Sequence, residues 1–284
     1  MHYRKPRVDG NFGDVVAVTD NAANEKKAFE ILGWPRLPCN GQNLNLVVKA
    51  GLKEVSKVVA KARSIVTMGM LESKQKLLLK EECHGHKLPT DTPTRWNSTF
   101  EMLVRVVEQT AAIRAVADDP LCPGGQDLKR KLLTMNEQLL IQSLITILKP
   151  FKMATEDFSF ETEPSLSRVV PVLMKLQKVL EINEMDDPPA VKRMKQAMQA
   201  NMEKRQTSEV MQLCRLASLL DPRTKHLKFL TDEEKDGTAK ELLKLCLELG
   251  KDSNSETVTD ETEEAADLPT KFHVKIQALA KKTG

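Results

Sequence analysis

Apolar residues return every three or four positions along most of this chain, the spacing that puts them on one face of an α-helix. Leu44, Val47, Val48, Leu52 and Val55 form the first such stripe, predicting helices over 43–62 and 64–82. Phe100, Leu103, Val104 and Val107 predict a helix over 97–118, with Asn97 as its N-cap and a stop at Asp119–Pro120 that continues through Pro123–Gly124–Gly125. Leu132, Leu139, Leu140, Leu144, Ile147 and Leu148 predict a helix over 127–149, interrupted by Pro150. A further stripe runs from Leu166 through Val169, Val170, Leu173, Leu176 and Leu180, within a helix over 164–182 that Pro171 is expected to kink. Helices over 188–205, 207–220 and 232–249 complete the pattern, the second of them ending at Asp221–Pro222.

One segment breaks this periodicity. Val15, Val16, Ala17 and Val18 are apolar in succession and mostly β-branched, which predicts a strand covered on both faces. Asp20 follows at its carboxyl end, before a helical run from Glu25 to Leu32. In an α/β sheet that edge is where ligands and metal ions are held. A second reading has Asp20 or Asn21 cap the following helix, since either side chain can accept an orphan amide hydrogen. A single strand has open edges and little stability of its own, so the first fifty residues are expected to be poorly supported unless another chain completes the sheet.

Short motifs follow Asp20 in a fixed order. Leu32–Gly33–Trp34–Pro35, Leu37–Pro38–Cys39 and Leu44–Asn45–Leu46–Val47–Val48 come first. Pro93–Thr94–Arg95–Trp96–Asn97–Ser98–Thr99–Phe100, Leu148–Lys149–Pro150–Phe151 and Leu219–Leu220–Asp221–Pro222–Arg223 come later. In this order they closely resemble the transposase-derived region of hAT elements, in the branch found among zinc finger BED domain-containing proteins. The resemblance covers roughly residues 14 to 230. It implies a mainly α fold: a partial RNase H-like α/β element over residues 1–50, a large all-helical insertion over 51–249, and an acidic linker and tail over 250–284.

The same resemblance implies a chemistry and then casts doubt on it. In hAT transposases three acidic residues hold two metal ions that drive DNA strand cleavage, and Asp20 matches the second of them. Asp9 is the acid available upstream, but it lies in a polar stretch beside Gly10, Asn11 and Gly13. The third acid belongs to a helix after the insertion, for which this chain shows no match. Two ions held about 3.5–4 Å apart need several carboxylates, so Asp20 is read as a vestigial metal-binding position and the chain as a non-enzyme. No cofactor is expected, and magnesium only if other regions complete the site. The Cys-x-x-His that usually precedes Leu-Asn-Leu is also altered: Cys39 is present, but Gln42 replaces the histidine and offers no imidazole. Cys39 is then most simply a small buried apolar residue.

Arg95–Trp96 is intact. In active relatives the tryptophan resembles a stacking platform for a flipped base, worth about 1–3 kcal/mol. The alternative is that Trp96 packs beneath the helix that begins beside it. Arg95 and Trp96 are the candidate nucleic-acid-binding residues.

Composition adds little to this. Aromatic residues make up 4% of the chain, so its core is built from Leu, Val, Ile and Met, which suits helix-on-helix packing. The net charge is +3 with no long basic run, and Lys129–Arg130–Lys131 and Lys192–Arg193 read as solvated helix faces. Five scattered cysteines form no disulfide framework, and with no secretory signal they favour a reducing compartment. Cys83–His84–Gly85–His86 lacks a second ligand pair at zinc-finger spacing, so no metal site is expected. No apolar stretch is long enough to span a membrane. Residues 251–267 are rich in Glu, Asp, Ser and Thr, a flexible linker by composition.

The reading that results is a catalytically inactive hAT-derived module that associates with DNA or assembles with other proteins in the nucleus. The partners implied are DNA and another copy of this or a related hAT-type chain, with no membrane. No BED finger and no C-terminal dimerisation segment are recognised. The alternatives are a fragment of an active DDE-type transposase, or a partial gene model without independent function.

Overall fold

The computed structural model describes residues 17–33, 36–69, 88–92, 95–122, 124–159 and 166–253. These residues form eleven helices and a single two-stranded sheet, a mainly α fold with a small N-terminal strand element. Contacts divide the chain into two compact units. One gathers Met1–Gln42, Phe160–Met174 and Gln206–Gly284; the other gathers Asn43–Ser159 and Lys175–Arg205.

The first unit opens with β1 (Ala17–Thr19), α1 (Ala23–Leu32) and β2 (Arg36–Pro38). The strands are parallel, with Ala17 opposite Arg36, Val18 opposite Leu37 and Thr19 opposite Pro38. Gly33 takes φ +64° to end α1, a left-handed conformation that glycine adopts without penalty. The expected double burial of β1 does not hold. Val18 is 65% exposed, because among the described residues β2 is the one strand paired with β1, and α1 buries none of its residues. The same unit contains the start of α8 (Leu166–Val179), α10 (Ser208–Leu220) and α11 (Asp232–Ser253), and α10 packs on α11. A polar network ties α8 to the end of α10. The Ser218 hydroxyl donates to the Ser167 carbonyl at 2.7 Å, and the Ser167 hydroxyl donates to Asp221 Oδ2 at 2.6 Å. The Arg223 and Ser167 hydrogen bonds hold the Asp221 carboxyl well below the usual carboxylate range.

The second unit carries most of the core. It contains most of α2 (Asn40–Glu54), then α3 (Ser56–Gly69), α4 (Trp96–Glu108) and α5 (Thr110–Asp118). After these come α6 (Gly125–Lys131), α7 (Met135–Asp157) and α9 (Pro189–Glu203). Helix α4 packs on both α3 and α7, and α9 packs on α7. Val48, Ala62, Leu103, Leu144, Phe151 and Met198 are fully buried between them. Gly51 marks a close approach: a Cβ there would lie 2.5 Å from Met198 Cγ and 3.1 Å from Met194 Cγ.

Several helix boundaries differ from the periodic reading. The first long helix breaks at Val55 rather than near residue 63, with Val55 itself buried. The 97–118 helix is two helices joined at Gln109. The Thr110 hydroxyl there donates back to the Val106 carbonyl at 3.0 Å, a bond that bends helices. Asn97 is not the N-cap. Arg95 occupies that position, and Ser98 Oγ accepts from the Thr92 amide at 2.9 Å. The 127–149 helix is also two, because Thr134 and Glu137 form a capping box that starts α7 at Met135. Helix α7 continues through Pro150 to Asp157, and α8 continues through Pro171. A proline costs a helix interior about 3 kcal/mol. In α7, burial of Leu148, Phe151 and Ala154 on either side of Pro150 outweighs that penalty.

Candidate functional site

Asp20 lies in the first unit and Arg95–Trp96 in the second, so each site stands on its own surroundings. At the end of β1, the Asp20 carboxylate turns back on its own backbone. Its Oδ1 accepts the Ala22 amide at 2.8 Å, closing an Asx turn. It does not cap α1: Ala22 holds the N-cap position and makes no side-chain cap bond.

The space beyond the strand end is taken by Arg36, which the sequence did not single out. Its Nε donates to Thr19 Oγ1 at 2.5 Å, and its Nη2 donates to the Asp20 carbonyl at 2.6 Å and to Asn21 Oδ1 at 3.2 Å. The register explains the reach, since Arg36 starts β2 opposite Ala17, beside the strand that ends at Thr19. Beside it, the Cys39 amide donates to the Thr19 carbonyl at 2.8 Å. Cys39 is half-buried rather than buried, and Gln42 is exposed.

A divalent cation does not fit these residues. Among the described residues a single carboxylate is offered, one of its oxygens is engaged by an amide, and a permanently charged guanidinium lies against the same turn. Among the described residues, no three His, Cys, Asp or Glu side chains gather as a metal-binding group. Asp9 and the Cys83–His86 cluster lie outside the described residues.

The entry to α4 is more tightly built. The Asp91 side chain is 2% exposed and receives both Arg63 Nε at 2.7 Å and Nη2 at 2.6 Å, together with the Thr99 hydroxyl at 3.0 Å. The paired Arg63 guanidinium holds its carboxyl below the usual range. This clamp fastens the segment before α4 to α3, and Trp96 follows as the first helical residue.

Trp96 is 3% exposed. Its ring meets Phe100 edge to face, with centroids 6.3 Å apart at 72°. Lys152 Nζ lies 5.6 Å from the Phe100 centroid and pairs with Glu101. Trp96 Nε1 is buried without a hydrogen-bond partner among the described residues. Arg95, by contrast, is exposed. The two residues of the motif therefore face different environments: the arginine meets solvent and the indole meets the core.

The basic runs are solvated and largely ion-paired. Lys129 pairs with Asp118 at 2.6 Å and Arg130 with Asp127 at 3.2 Å, while Lys192 pairs with Glu184. Among the described residues, no helix is long and apolar enough to cross a membrane.

Comparison with known proteins agrees with the order of motifs. Residues 37–146 match the family of the ZBED1 RNase-like helical domain. The chain is 28% identical over 242 residues to the human zinc finger BED domain-containing protein 4, covering 81% of this chain and 19% of that protein. It is 26% identical over 176 residues to the Drosophila melanogaster transposable element Hobo transposase, covering 62% of this chain and 25% of that protein. It is also 28% identical over 179 residues to the human zinc finger BED domain-containing protein 6, covering 58% of this chain and 17% of that protein. The chain thus spans about a fifth of the length of these relatives.

Proposed function

We propose, from the premise that this chain belongs with the hAT transposase-derived proteins of the zinc finger BED type, that it is a non-catalytic binding and assembly module. The observation that carries this reading is the strand end at Asp20. A strand-cleaving site of this kind needs carboxylates free to hold metal ions. Here the Asp20 carboxylate closes a turn, and the Arg36 guanidinium lies against the same turn on the Asp20 carbonyl and the Asn21 side chain.

Binding is assigned to the helical region. Arg95 is exposed at the start of α4 and is suited to a phosphate oxygen. Trp96, within the core, holds the helix that presents it. A nuclear location and an association with DNA accompany this reading, as does assembly with another chain of the same type.

The similarity to the Drosophila Hobo transposase favours a second reading, a piece of a strand-cleaving transposase whose other acids lie outside this chain. Incubating supercoiled plasmid with the chain in magnesium or manganese separates the two. The proposed reading expects no nicking above a protein-free control, from the parent and from Asp20→Asn alike. Metal-dependent nicking lost in Asp20→Asn overturns it. DNA retention in gel shifts should weaken with salt and fall in Arg95→Ala; binding indifferent to both leaves protein assembly as the role.

A further inference from the structure

The end of α10 and the exposed side of α11 frame a groove that neither the strand end nor the α4 motif uses. Its volume is about 520 Å3, and its walls include Leu219, Leu242, Leu243 and Cys246, with Lys225 and His226 at the turn between the helices. Among the described residues, no carboxylate lines it. Leu243 is 60% exposed, and Leu247, one helical turn further on, is 59% exposed.

Two features define what would fit. Leucines four residues apart on one helix form a ridge that the apolar stripe of a second helix can flank. Among the described residues that line it, the charge at the mouth is positive. Arg223 is held by Asp221 and Lys235 by Asp232, whereas Lys225 has no ion-pair partner among the described residues. A basic mouth over an apolar floor complements a segment of the opposite pattern.

We propose that this groove docks an acidic amphipathic helix of a partner protein. The partner's apolar i, i+4 pair lies against Leu242, Leu243 and Leu247, and one of its carboxylates reaches Lys225. This inference is independent of whether the chain binds or cuts DNA.

The test uses the full chain and two fluorescein-labelled helical peptides of about fifteen residues, or four turns. Both carry leucines at i, i+4 and i+7; one is flanked by glutamates and the other by lysines. Anisotropy should show the acidic peptide binding at least about tenfold more tightly than the basic one. Lys225→Glu should reverse that preference, and Leu243→Glu should abolish binding of both while leaving the melting temperature unchanged. Alkylation of the exposed Cys246, mapped by mass spectrometry, should slow when the acidic peptide is present. Equal affinity for the two peptides, or an acidic preference that survives Lys225→Glu, overturns the proposal. Self-association lost in Leu243→Glu would assign the groove to a second copy. Cross-links from Cys246 to residues 254–284 would assign it to the chain's own C-terminal segment. Either result overturns the proposal too.

Discussion

Lys195→Met is the perturbation whose effect can be worked most directly from the structure. Lys195 is 7% exposed on α9, and its ammonium donates to Asp187 Oδ2 at 2.7 Å and to the Glu181 carbonyl at 2.9 Å. Asp187 is itself mostly buried and also accepts the Asn183 amide at 2.9 Å. Burial pushes the Asp187 carboxyl up, but the bonds from Lys195 and Asn183 more than offset this and leave it below its ordinary range. Methionine fills nearly the same volume without the charge, so packing is retained and the Asp187 carboxylate loses its bonded cation, with Lys192 left acting on it at longer range. Breaking a buried pair from one side costs about 3–5 kcal/mol. Because Asp187 keeps the Asn183 amide and slight solvent access, about 3 kcal/mol is expected. At about 2–4 °C per kcal/mol for a domain of this size, the melting temperature should fall by roughly 6–12 °C. Adding Asp187→Asn removes the stranded charge, so the double variant should recover most of the loss. Thermal denaturation followed by circular dichroism, with urea titrations of all four proteins, gives the cycle. A Lys195→Met protein within about 0.5 kcal/mol of the parent, or a double variant as unstable as the sum of the singles, refutes the reasoning.

Gly51→Ala should destabilise by about 1 kcal/mol, because overpacking against Met198 costs about 1–3 kcal/mol and helix propensity returns up to about 1. Combined with Met198→Ala in a double-mutant cycle, the two losses should be less than additive, since the truncated side chain admits the new methyl group. Trp96→Ala should cost about 3–5 kcal/mol through the cavity it leaves. Trp96→Phe should cost far less, since it also removes a buried donor without a partner; urea denaturation compares them. The depressed carboxyls of Asp91, Asp187 and Asp221 set a pH dependence. A carboxyl lowered on folding contributes stability above its unfolded pKa, about 3.9, and loses it as pH falls towards the folded value. Stability should therefore be flat from neutral pH to about 5 and decline below about 4. In Asp91→Asn that decline should be shallower, as read from urea midpoints across the range.

Much of the helical layer was legible because helix burial is written at short range. Residues on one face of a helix lie three and four apart, so Leu44, Val47 and Val48, or Leu144, Ile147, Leu148 and Phe151, announce their shared environment by spacing alone. The motif order, likewise a property of the linear chain, carried the resemblance to the hAT-derived proteins. Spacing has less to say about where one helix stops. The stripe Val47, Val48, Gly51, Val55, Val58, Val59, Ala62 continues without interruption across the break at Val55. Thr134–x–x–Glu137 was a readable stop and start, yet the apolar rhythm on both sides concealed it.

What tertiary structure alone decided is how the chemical groups are partnered. The Asp20 carboxylate closes a local turn, but the guanidinium lying against that turn comes from Arg36, sixteen residues away and brought alongside by strand pairing. Asp91 owes its burial and its charge to Arg63, twenty-eight residues earlier on another helix. The fates of Pro150 and Trp96 were settled in the same way, by side chains contributed from neighbouring helices. Local sequence fixes backbone preference and the facing of side chains, whereas the electrostatics of a site is a sum over groups that only folding places together.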